Sequence, residues 1–341
     1  MTGRTYLDWN ASAPLRPEAR AAMIAAMDVV GNPSSVHGEG RKSRAIVERA
    51  RAQIKAAFGA GSADIVFTSG ATEAAALALA GRGLACSDSE HDCVHVWCAD
   101  RLATDVDGPN SAVQFANSET GVLQVLPDDL AVCDFVQGFG KLPTAFDWSG
   151  VEMGLLSAHK LGGPKGAGAL VLKPGTDLQA QIKGGGHEMG RRAGTENVVG
   201  IAGFGAAAEA AQKDIDNGVW EPVEALRDLL EQRLAEGAPG AIFVGQDAKR
   251  LPNTSCIAVP GWRGETQVMQ MDLAGFAISA GSACSSGKVK KSRVLSAMGF
   301  DDVTASSAIR VSIGPDTTTD QLMAFADVWL AEYARFKARA A

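Results

Sequence analysis

Residues 155–172, LLSAHKLGGPKGAGALVL, hold two short apolar runs separated by a glycine-rich turn. The runs Leu155–Ser157 and Ala169–Leu172 have the length and side-chain types of strands that are buried on both faces. Lys160 follows the first run directly, and burial of this kind lowers the pKa of an amine and makes it a competent Schiff-base nucleophile. A lone lysine at a strand end more often extends its ammonium to solvent.

Apolar strand-like runs and alanine-rich helical stretches alternate outward from this segment. Such alternation predicts an α/β fold with a largely parallel sheet that is covered on both faces. Helices are predicted at Pro17–Met27, Gly40–Phe58, Thr72–Gly81, Val199–Lys213, Pro222–Glu236 and Thr319–Lys337. Further strands are predicted at Ile65–Thr68, Ala112–Phe115, Ala241–Val244, Ser255–Val259 and Ile309–Ser312.

The composition is that of an ordinary globular protein of two domains. The 341 residues are 46% hydrophobic, and a net charge of -7 argues against a general nucleic-acid or anionic-membrane surface. The N-terminus has no secretory h-region, and no run approaches the roughly 18–20 apolar residues of a membrane span. Six cysteines without a C-x-x-C pair suit a reduced cytoplasm, and their spacing fits no familiar zinc site, so no metal is predicted.

An anion site is predicted in residues 64–81, DIVFTSGATEAAALALAG, which have the pattern of a strand, a tight turn and a helix. The N–H groups of Ala71 and Thr72 stand at the start of that helix, where free donors and the helix dipole favour a phosphate. The more common meaning of such a turn is a plain helix cap.

Two further polar residues follow a strand in residues 132–143, VCDFVQGFGKLP. A carboxylate such as Asp134 beside a pyridine nitrogen keeps that nitrogen protonated, so that the ring acts as an electron sink. Gln137 is placed to donate to the phenolic oxygen of the same ring. Either residue alone would more often be a loop-capping group.

Cys284 stands in residues 279–287, SAGSACSSG, which are followed by Lys288, Lys290 and Lys291. Small residues suit a loop that moves, and nearby lysines favour the reactive thiolate. A lone cysteine among small residues is usually structural, but the serines and lysines here favour a reactive one.

The chain resembles the cysteine desulfurases of the NifS/IscS type, in the class V aminotransferase group of fold-type I pyridoxal-phosphate enzymes. The resemblance covers nearly the whole length through YLDWNASAP, GNPSSVH, FTSGATE, SEH, NSETGV, SAHKLGGPKGAGAL, GGGHEMGRRAGTEN, LPNTS, ISAGSACSSGK and IRVSIG. It implies a large cofactor-binding domain at residues 16–215 with a mainly parallel seven-stranded sheet, shortened between about 95 and 130. Residues 1–15 and 216–341 then form a small α+β domain that carries the Cys284 loop.

The resemblance also implies a role for each matching residue. Lys160 forms the Schiff base, Asp134 pairs with the pyridinium nitrogen and Gln137 contacts the phenolic oxygen. His91 stacks on the ring and is a candidate proton shuttle. The phosphate is held by Ala71, Thr72, Ser157 and His159. Thr195 matches a threonine that reaches the phosphate of the partner subunit, which implies a homodimer, and Asn117 and Arg310 match the residues that bind the substrate carboxylate.

The implied reaction removes sulfur from L-cysteine, releases L-alanine and leaves a persulfide on Cys284. The sulfur then passes to an acceptor or scaffold protein for iron–sulfur clusters, thiolated tRNA or a molybdenum cofactor. Without the resemblance, His91 is better interpreted as a capping histidine and Arg310 as part of a structural ion pair.

The sequence departs from the family pattern in places, and other functions therefore stay open. His91 and Asn117 are only 26 residues apart, about half the usual spacing, and Met189, Ala13, Lys291 and Pro315 replace common residues. The alternatives are a selenocysteine or cysteine-sulfinate lyase and a non-catalytic scaffold. A dehydrogenase of the NAD type is disfavoured because no G-x-G-x-x-G follows the first strand.

Overall fold

The computed structural model describes residues 3–101, 108–281 and 291–340. Its strands are β1 (Thr5–Tyr6), β2 (Asp64–Thr68), β3 (Ala85–Cys86), β4 (Asp100–Arg101), β5 (Ser111–Gln114), β6 (Val132–Asp134), β7 (Met153–Ser157), β8 (Gly168–Leu172), β9 (Ile242–Phe243), β10 (Thr254–Ala258), β11 (Phe276–Ala277), β12 (Ser279–Ala280) and β13 (Ala308–Ser312). Its α-helices are α1 (Pro17–Met27), α2 (Gly38–Ala57), α3 (Ala71–Leu79), α4 (Asp92–His95), α5 (Val198–Asp216), α6 (Trp220–Gly237), α7 (Gly264–Leu273), α8 (Arg293–Ala297), α9 (Asp302–Ala305) and α10 (Thr319–Ala340). Every helix and strand predicted from the sequence is present, and its ends lie within three residues of the prediction.

The backbone divides into two compact units. The sheet unit comprises Ser12–Ala116 and Gln124–Asn217, and the terminal unit comprises Met1–Ala11, Asn117–Leu123 and Gly218–Ala341.

The sequence-based boundaries need correction at one internal segment. Asn117–Leu123 was expected in the large domain, but it belongs to the terminal unit. The reason is backbone pairing, since Leu123 N–H donates to the Lys249 carbonyl at 2.9 Å and Leu251 N–H donates to the Gly121 carbonyl at 2.8 Å.

The sheet unit is built on a seven-stranded sheet in the order β2-β8-β7-β6-β5-β3-β4. β8 runs antiparallel to both of its neighbours, β2 and β7. The pairs β7–β6, β6–β5, β5–β3 and β3–β4 are parallel. The sheet is therefore mainly parallel, as the sequence predicts.

Helices cover both faces of this sheet, because successive side chains of each strand point to opposite sides. In β2, Ile65 and Phe67 pack with residues of α2 and α5, whereas Val66 packs with residues of α3 and α4. In β7, Leu156 and Leu155 divide between the two faces in the same way. Strands buried on both faces must be apolar throughout, which explains why the sequence shows continuous apolar runs.

The terminal unit contains a four-stranded sheet in the order β12-β13-β10-β9, in which all neighbours are antiparallel. A separate two-stranded parallel sheet joins β1 to β11. On α10, Trp329 is fully buried and its ring centroid lies 5.2 Å from that of Trp262. The arrangement is that of the small α+β domain predicted from the sequence. Within the described residues, no helix is both long and apolar enough to cross a membrane.

Candidate active site

Two of the polar residues singled out in the sequence lie at the carboxyl ends of neighbouring parallel strands. Asp134 is the last residue of β6, Ser157 is the last residue of β7, and Asp134 is in register with Leu155. The carboxyl ends of parallel strands share one edge of a sheet, which is where α/β proteins place their ligand sites.

Asp134 is a buried carboxylate at this edge. Its Oδ1 accepts the Val136 N–H at 2.8 Å, and the described residues supply no second hydrogen bond to it. Burial raises the pKa of Asp134, against the opposing effects of that hydrogen bond and of the charges of His91 and Lys160. A carboxylate in this setting is stabilised by a cationic partner.

Lys160 is the last residue of a 3₁₀ turn, Ala158–Lys160, that follows β7 directly. It is half-buried, as its position after an apolar strand predicts. The next residue but one, Gly162, has φ +87°, and a Cβ there would lie 2.5 Å from Cγ of Arg16. Glycine is therefore required, since the Arg16 side chain lies against this backbone and donates from Nε to the Leu161 carbonyl at 2.8 Å.

His159 lies in the same turn and is neutral at pH 7. Burial and the neighbouring charges of Lys160 and Lys165 lower the pKa of its imidazole to about 4. Its Nδ1 lies 3.3 Å from Ser12 Oγ, and its carbonyl accepts the Ala13 N–H at 2.9 Å. A neutral imidazole can both donate and accept, so His159 can serve as a hydrogen-bond donor to an anion.

The N-terminus of α3 stands after β2, as the strand–turn–helix pattern predicts. The helix begins at Ala71, and its first N–H groups, including that of Thr72, have no acceptor within the helix. Gly168 of the adjacent β8 allows the turn to approach closely, because a Cβ on Gly168 would lie 2.6 Å from the Cα of Gly70. The result is a set of backbone donors at a helix N-terminus, which favours an anion.

Glu73 lies in the first turn of α3, where a negative charge would oppose a bound anion. Arg192 balances this charge, since its Nε donates to Glu73 Oε1 at 2.8 Å. The Ser69 N–H donates to Glu73 Oε2 at 2.8 Å. These hydrogen bonds outweigh the effect of partial burial and lower the pKa of Glu73.

His91 is an exposed residue that caps the short helix α4. Its Nδ1 accepts the Cys93 N–H at 3.2 Å and lies 3.0 Å from Cys93 Sγ. The interpretation of His91 as a capping histidine is therefore correct for Nδ1. Nε2 of the same ring can bind another partner. Burial, followed by the charge of Asp134, raises the pKa of the Cys93 thiol, so it stays protonated.

Gln137 lies in the turn after β6 and is buried together with a residue that sequence reasoning missed. Lys141 Nζ donates to Gln137 Oε1 at 2.9 Å, and both side chains are buried. The i,i+4 spacing was the available signal, although nothing in the sequence shows that this turn is helical or that the lysine is inside.

Thr195 is exposed, in a segment fastened to the sheet unit by ion pairs. Arg192 pairs with Glu73 on α3, and the buried Glu188 pairs with Arg51 on α2 through two hydrogen bonds of 3.0 and 3.1 Å. Glu188 has φ +47°, a left-handed conformation that this pair and its bond from the Phe67 N–H maintain.

Asn117 and Arg310 both belong to the terminal unit. Asn117 Oδ1 accepts the N–H groups of Glu119 and Thr120, each at 2.9 Å, so this oxygen holds the turn that follows it. Arg310 is the central residue of β13 and donates from Nη1 to the carbonyl of Ser118 at 2.9 Å. The two predicted residues are thus linked through one short loop.

The same guanidinium is paired with a carboxylate. Arg310 Nη2 donates to Asp8 Oδ1 at 2.8 Å, because the segment after β1 bridges to Ser312 and brings Asp8 alongside β13. Ser279 Oγ donates to the other oxygen of Asp8 at 2.8 Å. The ion-pair interpretation of Arg310 is therefore correct, while its buried Nε has no hydrogen-bond partner among the described residues.

Cys284, with Lys288 and Lys290, lies outside the described residues. The other five cysteines are buried: Cys86, Cys93, Cys98, Cys133 and Cys256. Burial raises the pKa of Cys93, Cys133 and Cys256, so these thiols are poor nucleophiles.

The residues of the sheet unit fit pyridoxal phosphate. The N-terminus of α3 suits the phosphate, and the buried Asp134 suits a protonated ring nitrogen. Lys160 lies near enough to Asp134 for its charge to act on the pKa of that carboxyl. The same edge of the sheet therefore also holds an amine that can react with the cofactor's carbonyl. One edge of the sheet thus provides a group for the phosphate, one for the ring nitrogen and one for the carbonyl of the same cofactor.

The chain is similar to known proteins over nearly its whole length. The family model "Aminotransferase class-V" matches residues 5–103 and 112–325. A cysteine desulfurase of Cereibacter sphaeroides is 38% identical and is aligned over 94% of this chain and 93% of its own length. The cysteine desulfurase IscS of Dictyoglomus turgidum is 34% identical over 96% and 94%. The crystal structure of a NifS-like protein from Rickettsia africae superimposes with a TM-score of 0.86 at 30% identity and covers 97% of this chain and 99% of that chain.

Proposed function

Because the chain belongs to the class-V aminotransferase family, we propose that it is a pyridoxal-phosphate-dependent cysteine desulfurase. The enzyme removes sulfur from L-cysteine, releases L-alanine and stores the sulfur as a persulfide on Cys284. The observation that carries the proposal is the meeting of Lys160 and the buried Asp134 at one edge of the sheet. The similarity to cysteine desulfurases over nearly the whole chain supports the choice of substrate.

Pyridoxal phosphate, when bound, supplies an electron sink for the α-carbon of an amino acid. Ala71, Thr72, Ser157 and His159 hold its phosphate, and Asp134 holds the proton on its ring nitrogen. His159 is suited to this role because it is neutral at pH 7 and can donate to a phosphate oxygen. Lys160 anchors the cofactor through its ε-amine and then takes the proton from the substrate's α-carbon at Nζ.

The sulfur step belongs to Cys284. Its thiolate attacks the sulfur of the substrate, so that an S–S bond forms while the substrate's C–S bond breaks. The electron pair of the broken bond remains with the substrate's β-carbon, which takes up a proton. Lys160 returns the proton that it took to the α-carbon, and the product is alanine. His91, whose Nδ1 is held by Cys93, is suited to move that proton through Nε2.

The substrate carboxylate is assigned to Arg310 and Asn117. Asn117 Oδ1 is engaged by backbone donors, so Asn117 can approach a carboxylate only through its Nδ2 donors. Arg310 offers its buried Nε, and a guanidinium edge matches the two oxygens of a carboxylate.

The proposal includes a homodimer and a protein that accepts the sulfur. Thr195 is exposed, on a segment that two ion pairs hold in place, and this suits a residue that contacts the phosphate bound by the partner subunit. The acceptor is a protein that takes the terminal sulfur of the Cys284 persulfide. Sedimentation of the loaded enzyme would reveal a mass twice that of the chain.

The decisive experiment adds L-cysteine to the purified, cofactor-loaded enzyme and locates the extra sulfur by mass spectrometry. We expect an addition of one sulfur atom on Cys284, and equal amounts of alanine and transferable sulfur. Cys284→Ala should lose both, whereas Cys98→Ala, which removes a buried thiol, should retain them. Alanine release by Cys284→Ala at the parent rate would instead support a selenocysteine or cysteine-sulfinate lyase.

A further inference from the structure

We propose that Lys141 is a positioning residue, which fixes the amide of Gln137 so that its NH₂ group faces the phenolic oxygen of the cofactor. This inference rests on the proposed function, because it assigns a second residue to the cofactor site. The evidence is the hydrogen bond of 2.9 Å from Lys141 Nζ to Gln137 Oε1.

The direction of this hydrogen bond determines which end of the amide is which. A lysine ammonium donates and cannot accept, so the amide atom that faces it must be the carbonyl oxygen. The NH₂ group of Gln137 is then on the opposite side of the amide. Without the lysine, the amide could turn over and present an acceptor to the cofactor, where an anionic oxygen requires a donor.

Burial of both side chains strengthens the preference for this orientation of the Gln137 amide. Lys141 is 3% exposed and Gln137 is 4% exposed, so water contributes little to either side chain. A buried ammonium is stabilised by its hydrogen-bond acceptors, and turning the amide would replace this acceptor with a donor. The amide orientation is therefore coupled to the burial of a charge.

The backbone of this turn is held in place by packing. Phe139 N–H donates to the Phe135 carbonyl, four residues earlier, at 2.9 Å, and Lys141 N–H donates to the Gly138 carbonyl, three residues earlier, at 3.1 Å. A Cβ on Gly138 would lie 2.2 Å from the Phe115 ring, so only glycine fits.

Neighbouring aromatic rings complete the support for this turn. The ring centroid of Phe58 lies 5.0 Å from those of both Phe135 and Phe139. Lys141 and Gln137 therefore sit on a rigid turn, and their hydrogen bond is not a chance contact of two mobile chains.

The consequence concerns the protonation of the bound cofactor. A donor at the phenolic oxygen, supported by a nearby positive charge, favours its anionic form and opposes protonation of the neighbouring imine nitrogen. Losing the donor should therefore raise the pH at which the visible absorbance of the bound cofactor changes. A lysine that served only to fill space would leave this pH midpoint unchanged.

The test uses the cofactor-loaded enzyme and measures the pH midpoint of its visible absorbance. Lys141→Met should raise the midpoint by about one pH unit, the size of one hydrogen bond to a charged group. Lys165→Met is the matched control, because it removes an exposed positive charge from the loop after Lys160 and should leave the midpoint near that of the parent.

A double variant separates positioning from a simple charge effect. If Lys141 acts through Gln137, Lys141→Met should cause little further change once Gln137→Ala is present. An equal shift in both backgrounds would overturn the positioning role, and so would an unchanged midpoint in Lys141→Met. A parent protein without any visible band would overturn the proposed function as well.

A second variant covers the case in which Lys141→Met does not fold. Gln137→Glu keeps an acceptor for Lys141 but has no N–H, so its midpoint should rise in the same direction. A Gln137→Glu enzyme with the parent midpoint would show that no donor from this residue faces the cofactor, and the inference would fail.

Discussion

Each of the two units contains a largely buried arginine–carboxylate pair, and the two pairs differ in how completely they are bonded. In the sheet unit, Arg51 and Glu188 form two hydrogen bonds of 3.1 and 3.0 Å, and Arg51 Nε donates to Glu48 at 3.3 Å. Glu188 also accepts the Phe67 N–H at 3.0 Å. Each nitrogen of this guanidinium and each oxygen of this carboxylate has a partner.

The Arg310–Asp8 pair, in the terminal unit, is open by comparison. Arg310 gives one hydrogen bond to Asp8 and one to the Ser118 carbonyl, and its buried Nε has no partner within the described part of the chain. A buried donor without a partner costs free energy, which a ligand that accepts from it can recover. The first pair is fully bonded within the fold, whereas the second pair has a donor left over, which suits the substrate-carboxylate role that we propose for Arg310.

Breaking the closed pair should have the largest effect, and on stability. We expect Glu188→Ala to lower the free energy of unfolding by about 3–5 kcal/mol, because Arg51 would lose its buried carboxylate partner and keep only the exposed Glu48. Urea unfolding checks this, with Lys213→Met on the exposed pair with Glu209 as the control that should show no measurable change. Equal unfolding midpoints for Glu188→Ala and the parent would contradict a structural role.

Breaking the open pair should affect substrate binding. Arg310→Lys keeps the charge but loses the planar fork, so the KM for L-cysteine should rise about tenfold, the equivalent of one good hydrogen bond. Steady-state alanine release checks this, with Arg335→Lys on the exposed face of α10 as the control. A KM that stays at the parent value would remove Arg310 from the carboxylate site.

If Arg310 binds the substrate carboxylate as we propose, Asp8 competes with that carboxylate for the same arginine. Asp8→Asn keeps an oxygen for Arg310 but removes the negative charge, so we expect the KM for L-cysteine to fall by about threefold. The same alanine assay measures it. A higher KM would mean that Asp8 chiefly orients Arg310. In that case only the Nε atom of Arg310 would be left to bind a carboxylate.

A smaller, pH-dependent effect is expected from His159, which is partly buried and has no carboxylate partner within the part of the chain that the structure describes. Its folded pKa of about 4 lies below the ordinary value of 6.5, so the unfolded chain binds more protons between these values. Stability contributed by the neutral imidazole is therefore complete above pH 6.5 and is lost as the pH falls towards 4. His159→Asn in the cofactor-free protein should weaken this loss, as unfolding at pH 7 and pH 5 would show; identical pH dependence would refute it.

Much of the fold was predictable because its signals are local. The strand β7, the turn with Lys160 and the start of α3 follow from apolar runs and glycines, which act over a few residues. The assignment of Asn117–Leu123 to the large domain was wrong, because that segment is held by backbone bonds to residues near Lys249. No local pattern encodes a partner so far along the chain.

The same distinction between local and long-range signals applies to the candidate site. The sequence by itself determined the residue types of the site and their order along the chain, since Lys160, Asp134 and Thr72 each follow a recognisable strand. Only the tertiary structure decided their electrostatic surroundings. Arg310 pairs with Asp8 because the fold brings two segments together that are separate in sequence. The hydrogen bond between Lys141 and Gln137 lies inside the protein, and the pKa of His159 is low, because the folded chain buries these side chains. The physical reason is that strand and helix formation depend on neighbouring residues, whereas desolvation and charge pairing depend on whatever the folded chain brings close.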